Sequence, residues 1–210
     1  MLNMKREIFS EKIKKRILSS KKGSVFVTSD FLDIANTDTV SKTLSRLVQD
    51  GTIRRVLRGV YEYPIYSDFL GEYVAPSPDK IAHALARNYG WTIVPFGDTA
   101  LNLLGLSTQV PAVWIYVSDG IYKEYKYGRI TLKFKKTANK EISKVSYKTA
   151  LVIQALKSLG KENVNEIVIQ KISARLTDSE KQKMNREIKN EAKYVTTWIY
   201  EVIEKISEEK

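Results

Sequence analysis

The chain has 210 residues and a mass of 24.0 kDa, with 43% hydrophobic and 28% charged residues. That is enough for one large domain or two small ones around a real core. Cysteine is absent and histidine occurs once, as His83, which excludes disulfide scaffolds and cysteine-ligated metals and leaves little for imidazole-based sites. No apolar run approaches the length of a membrane span, and the start, MLNMKREIFSEKIKKR, has no apolar core behind its charges. The expectation is a cytoplasmic protein with neither a membrane helix nor a secretory signal.

Lys and Arg number 35 against 24 Asp and Glu, for a net charge of +11 and a pI near 9.6. Such an excess attracts a polyanion and bears on partners rather than on fold. It is unevenly placed: +6 within residues 1–63, +5 within 76–145 and only +2 within 146–210. Asp68 and Glu72 fall just after the first basic stretch.

In chain order, Phe9, Ile13 and Ile17 are spaced four apart from Glu7 to Ser19, which reads as an amphipathic helix. KKGS breaks it, and Val25 to Val27 reads as a short strand. Thr28 or Ser29 is then expected to cap a short helix carrying Phe31, Leu32 and Ile34. Asn36 closes that helix, and Thr37 is expected to cap the next, with Asp38 placed for the helix dipole. This helix runs to about Asp50 and stops at Gly51. TIRRVLRGVYEY reads as a two-stranded hairpin turning at Arg58-Gly59. The order helix, strand, helix, helix, hairpin is that of a winged helix-turn-helix. Ile65 to Ser77 reads as a connector.

Beyond it, Ile81, Ala82, Leu85 and Ala86 share a helical face, WTIVPF and AVWIYVS read as strands, and GDTALNLLGL reads as a short helix capped by Asp98. KEYKYGRITLKFKKT reads as a hairpin around Gly128. Helices are expected from Ser146 to Leu159, from Asn165 to Leu176, and as one long element from about Asp178 to Ser207. The last carries Met184, Ile188, Tyr194, Trp198, Ile199 and Ile203 for core packing. The fold class is therefore α+β: a DNA-binding winged helix-turn-helix at 1–75, then a mixed domain at 76–210 ending in helices.

On the third helix, Val40, Leu44, Leu47 and Val48 form one apolar stripe. Asp38, Thr39, Lys42, Ser45, Arg46 and Gln49 lie opposite, with Ser41 at the edge. Short polar and basic side chains of this kind can approach base edges. Arg54, Arg55 and Arg58 then crowd into five positions, an arrangement that an anion relieves.

The segment SKTLSRLVQDGTIRRVLRGVYEYP resembles the winged-helix segment of the AbiEi-like antitoxins of type IV (abortive infection) toxin–antitoxin systems. PFGDTALNLLGLSTQVP is similar to the opening of that family's second domain. The resemblance touches most of residues 1–120. It implies a transcriptional autorepressor that binds double-stranded DNA, as repeats in its own promoter. It also implies a nucleotidyltransferase-like toxin as functional counterpart, countered without a stable protein complex. Carried over by position, the DNA-reading residues are Thr39, Ser41, Lys42, Ser45 and Arg46, with Arg54, Arg55 and Arg58 on the wing and Gly59 at its turn. No antitoxicity residue carries over.

In the second domain, Tyr122, Tyr125 and Tyr127 interleave with Lys123, Lys126, Arg129, Lys133, Lys135 and Lys136. That is the alternation of single-strand platforms or of a solvated hairpin, and phosphate contact by Lys133, Lys135 and Lys136 is the favoured expectation. Gly97-Asp98-Thr99 lacks the glycines and lysine of a phosphate loop. His83, Asp98 and Asp119 are too scattered to make a catalytic site. The expectation is a binding protein without enzyme activity, metal or cofactor. Two other classes stay open at this point: an enzyme acting on nucleic acid, and a module binding an acidic partner protein.

Overall fold

The computed structural model describes residues 2–137, 144–191 and 195–209. The fold is mixed α+β and ends in helices. The chain divides into two compact units, 1–90 and 91–210.

In the first unit, α1 (Leu2–Leu18) is followed by β1 (Val25–Val27), a single 3-10 turn (Thr28–Phe31) and α2 (Thr37–Gln49). The short helix expected around Phe31 is only this turn. Asp30 folds back to accept the Val27 N–H at 2.9 Å, which takes the place of a Thr28 or Ser29 cap. Asn36 rather than Thr37 caps α2, accepting the Thr39 N–H at 3.0 Å. At the other end Gly51 adopts φ +75°, a conformation that lets the helix stop where glycine stands. Ile13 and Ile17 of α1, Phe31, and Val40, Leu44 and Leu47 of α2 bury together with Ile53 and Tyr61.

The strands β2 (Arg54–Leu57) and β3 (Val60–Glu62) form the expected hairpin. β1 adds to the other edge of β3, in the order β1-β3-β2. The stretch expected to be a connector is instead an ordered hairpin, β4 (Tyr66–Ser67) and β5 (Glu72–Tyr73). After it, α3 (Pro78–Tyr89) belongs to the first unit, so the boundary lies at 90/91 rather than 75/76. The reason is specific. Ile81, Ala82 and Leu85 of α3 are buried, Arg87 donates to Asp30 Oδ2 at 3.0 Å and to the Val25 carbonyl, and Lys80 Nζ donates to the Gly23 carbonyl at 2.8 Å.

The second unit is built on a four-stranded sheet ordered β6-β7-β9-β8, from β6 (Ile93–Phe96), β7 (Val113–Ser118), β8 (Lys123–Tyr127) and β9 (Ile130–Lys136). Only β7 and β9 run parallel. Val94, Phe96 and Val117 on one face join the core formed with α4 (Asp98–Leu103) and α5 (Tyr147–Leu159). The other face collects Trp114, Tyr116, Leu132 and Phe134, with the Trp91, Tyr116 and Tyr125 rings all within 6.0 Å of Phe134.

Every residue of α5 from Thr149 to Leu156 is buried, because α7 (Asp178–Asn190) and α8 (Thr197–Glu208) pack against it, while α6 (Glu166–Ser173) packs on α8. The long terminal helix is thus two. α7 ends at Asn190 and α8 starts after Thr196, and Tyr194 lies outside the described residues. Folding the segment back lets both Met184 and Ile203 reach one core, which a straight helix could not do. No described helix is long and apolar enough to cross a membrane.

Candidate nucleic-acid interface

The α2 helix presents the expected binary pattern. Val40, Thr43, Leu44 and Leu47 are buried, and Thr43 Oγ1 meets Ser10 Oγ of α1 at 2.9 Å. Asp38, Lys42, Ser45, Arg46 and Gln49 are exposed, while Thr39 and Ser41 are half-buried at the margins. At about 100° per residue, Asp38, Lys42, Ser45 and Gln49 fall within about 60° of one another. Thr39, Lys42 and Arg46 also line a polar cleft of about 360 Å³ with Glu7, Ser10, Asn36 and Asp38. The chain then passes directly into the hairpin, with the Ile53 N–H bonded to the Leu47 carbonyl at 3.0 Å.

The three arginines of that hairpin part company. Register places Arg54 opposite Glu62, and Arg55 opposite Tyr61, with an irregularity before Leu57. Glu62 is buried, its side chain 3% exposed, and holds Arg54 Nε at 2.5 Å. Arg54 also donates to the Val74 carbonyl and stacks over the Tyr73 ring. A carboxylate buried in this way needs a bonded cation. Arg54 is therefore a structural side chain, engaged by Glu62, the Val74 carbonyl and the Tyr73 ring. Arg55 and Arg58 are exposed, and among the described residues Arg55 bonds only to the nearby Leu57 carbonyl at 3.4 Å. Gly59, at φ +77°, supplies the turn that any residue with a Cβ would strain.

The second basic hairpin, β8–β9, is less open. Alternation puts Lys133 and Lys135 on the helix-covered face of the sheet and Lys136 on the other, so the three lysines do not form one patch. Lys133 Nζ pairs with Glu124 at 3.2 Å across the strands, and Glu124 also has Lys126 at 3.6 Å. The hydrogen bond from Lys133 holds the Glu124 carboxyl below the usual range against the opposing effect of desolvation. Lys135 lies over the Phe96 ring at 5.7 Å. Tyr125 and Tyr127 are half-buried on the face opposite Lys133, where Lys123 Nζ lies over the Tyr125 ring at 5.4 Å, and Tyr122 is exposed.

His83 faces Asp79 one helical turn away at 3.6 Å. The cations around it, Arg16, Lys80 and Arg87, are bonded within the first unit. Asp98 sits in the first turn of α4, and Gly97, not Asp98, is the cap residue. Asp119 accepts the Thr92 N–H at 2.8 Å. No group of three or more His, Cys, Asp or Glu side chains that could hold a metal occurs among the described residues.

These features define a chain of two mixed units, the first carrying an amphipathic α2 with a polar outer side and a basic hairpin next to it. The sequence profile of DUF6088, a family of unknown function, matches residues 12–184. The chain belongs to that family. No curated protein matches it significantly.

Proposed function

We propose that residues 2–63 form a winged helix-turn-helix and that the chain is a sequence-specific DNA-binding autorepressor. In this reading α2 enters the major groove, and Lys42, Ser45 and Arg46, flanked by Thr39 and Ser41, read base edges. The β2–β3 hairpin is the wing, with Arg55 and Arg58 for phosphate or the minor groove. The observation that carries the reading is the exposed polar side of α2 leading directly into a hairpin with two exposed arginines. Among the described residues neither arginine has a carboxylate at ion-pair distance. Guanidiniums left so are ready partners for phosphates.

The antitoxin role, and a nucleotidyltransferase-like toxin as its counterpart, rest on the resemblance to the AbiEi-like family. The reading is of a cytoplasmic binding protein, not an enzyme, that needs no cofactor or metal. The test is titration against its own promoter duplex and a scrambled duplex over a series of salt concentrations. Promoter affinity should exceed scrambled affinity and fall steeply with salt, with a log–log slope of about −0.9 per phosphate neutralised. Equal affinities, or a flat salt response, overturn the proposal.

A further inference from the structure

The β4–β5 hairpin is tied together by several contacts and has no role in the reading above. Its strands pair Tyr66 with Tyr73, whose rings meet edge to face at 5.3 Å. Gly71 N–H bonds to the Ser67 carbonyl at 2.9 Å to close the turn, and Val74 N–H bonds to the Ile65 carbonyl at 2.9 Å at the base. The Arg54 guanidinium fastens it to the first unit through the Val74 carbonyl and the Tyr73 ring. This ordered tip holds Phe69 96% exposed and Leu70 59% exposed, flanked by the exposed carboxylates Asp68 and Glu72. Large apolar side chains held out on a fixed scaffold mark a contact surface, since ordering them in advance removes part of the entropic cost of binding.

The same unit carries a surface of matching chemistry. Along α1, a shallow, open groove on the exposed face of this one helix is bounded by Ile8, 52% exposed, and Leu18, 46% exposed, with Lys12, Lys14 and Lys15 between them. Glu7 and Glu11 line its N-terminal end. The tip is apolar and acidic; the C-terminal half of the groove is apolar and basic.

We propose that the β4–β5 tip of one chain docks on the α1 groove of a second copy, and the second copy's tip on the first chain's groove. Phe69 and Leu70 cover Ile8 and Leu18, while Asp68 and Glu72 meet the groove lysines. The two contacts are related by a two-fold axis, so the assembly closes as a dimer. The contact involves no DNA and stands or falls apart from the function proposed above.

The test is sedimentation of the full chain, without DNA, over a range of concentration. Wild type should dimerise reversibly. The double variant Asp68→Lys, Glu72→Lys and the double variant Lys12→Glu, Lys15→Glu should each dimerise at least about tenfold more weakly, because like charges then oppose at both contacts. Mixing the two should restore dimers, since every reversed tip then meets a reversed groove. Phe69→Ser should weaken dimerisation with no change in circular dichroism, its side chain being in solvent. A monomeric wild type, dimers indifferent to both double variants, or a mixture that stays monomeric each overturn the proposal.

Discussion

The β2–β3 and β8–β9 hairpins are alike in composition and differ in what their charges are free to do. Each has one cation facing a carboxylate across the strands: Arg54 opposite Glu62, and Lys133 opposite Glu124. Glu62 is buried, so its ion pair is part of the fold, whereas Glu124 stays accessible and its pair is a surface contact. The remaining cations also differ. Arg55 is exposed on β2 and Arg58 at the turn, while Lys135 and Lys136 leave opposite faces of a sheet and Arg129 is exposed beside Gly128 at its turn. Local charge density is thus a poor measure of available charge. The cross-strand partner and its burial decide the matter.

The largest effect should come from breaking the buried pair. Arg54→Ala leaves Glu62 uncompensated and frees the Val74 carbonyl, so the first unit should lose about 2–4 kcal/mol of stability. Arg55→Ala and Arg58→Ala should stay within about 0.5 kcal/mol of wild type. Urea unfolding followed by circular dichroism separates the three. Equal stability of all three variants would show that Arg54 is as free as its neighbours.

Sequence alone treats these arginines as equivalent, because the distinction lies in a cross-strand carboxylate eight residues away. Glu62 between Tyr61 and Tyr63, in a run otherwise fit for burial, was the available signal. Local patterning located α2, α3, α5 and all four strands of the larger sheet, since each has an apolar period and a capping or turn residue of its own. The β4–β5 hairpin was missed because its two-residue strands have no period, and its order comes from the Tyr66–Tyr73 pair and from Arg54. The division of the terminal helix was hidden too: both halves keep helical spacing, and only the demands of a shared core turn the chain back. On the proposed interface, the exposed polar side of α2 was legible as amphipathicity. The separation of Lys136 from Lys133 and Lys135 is legible as strand alternation, which overrides their nearness in sequence.

Next in size is the difference between α2 and the β2–β3 hairpin. Lys42→Ala should cost about 1–3 kcal/mol on the promoter duplex and far less on a scrambled one, because base-edge contacts carry sequence information. Arg58→Ala should weaken both duplexes alike if it meets only backbone. Titration at a fixed salt concentration distinguishes the two patterns. Unchanged promoter affinity of the Lys42 variant would remove α2 from the interface.

A third carboxylate extends the comparison to the helices of the second unit. Glu187 of α7 accepts the Ser146 N–H at 3.0 Å, Ser146 Oγ at 2.8 Å and Thr149 Oγ1 at 2.6 Å at the start of α5. Burial pushes its carboxyl up, but these bonds and Lys183 outweigh burial and hold it below the ordinary value of 4.5. A depressed folded value stabilises above the unfolded one, and that stability is lost as pH falls through the folded value. Glu187→Gln should therefore lose about 1–2 kcal/mol at neutral pH. The loss should vanish in acid, where wild type is protonated as well. Urea midpoints measured from neutral pH to below 4 check the convergence; a constant gap would assign the loss to packing.

The smallest effect tests the surface pair itself. Glu124 draws on Lys133 and Lys126, so a phosphate that sought either lysine would have to displace it. Such exposed pairs contribute at most about 1 kcal/mol, and Glu124→Gln should leave the stability of the second unit nearly unchanged. If the β8–β9 hairpin lies along a duplex, the same substitution should raise affinity for promoter and scrambled DNA equally. It should also steepen the salt dependence by up to about 0.9 in the log–log slope for each additional lysine that reaches a phosphate. Removing the lysine by Lys133→Ala should leave wild-type affinity almost untouched, because in wild type that charge is already occupied by Glu124. The asymmetry between gain from Glu124→Gln and indifference to Lys133→Ala is the signature of a masked cation. Binding by both variants indistinguishable from wild type at low salt would place this hairpin outside the proposed DNA footprint and leave Arg55 and Arg58 of the β2–β3 hairpin as the cations proposed to meet phosphate.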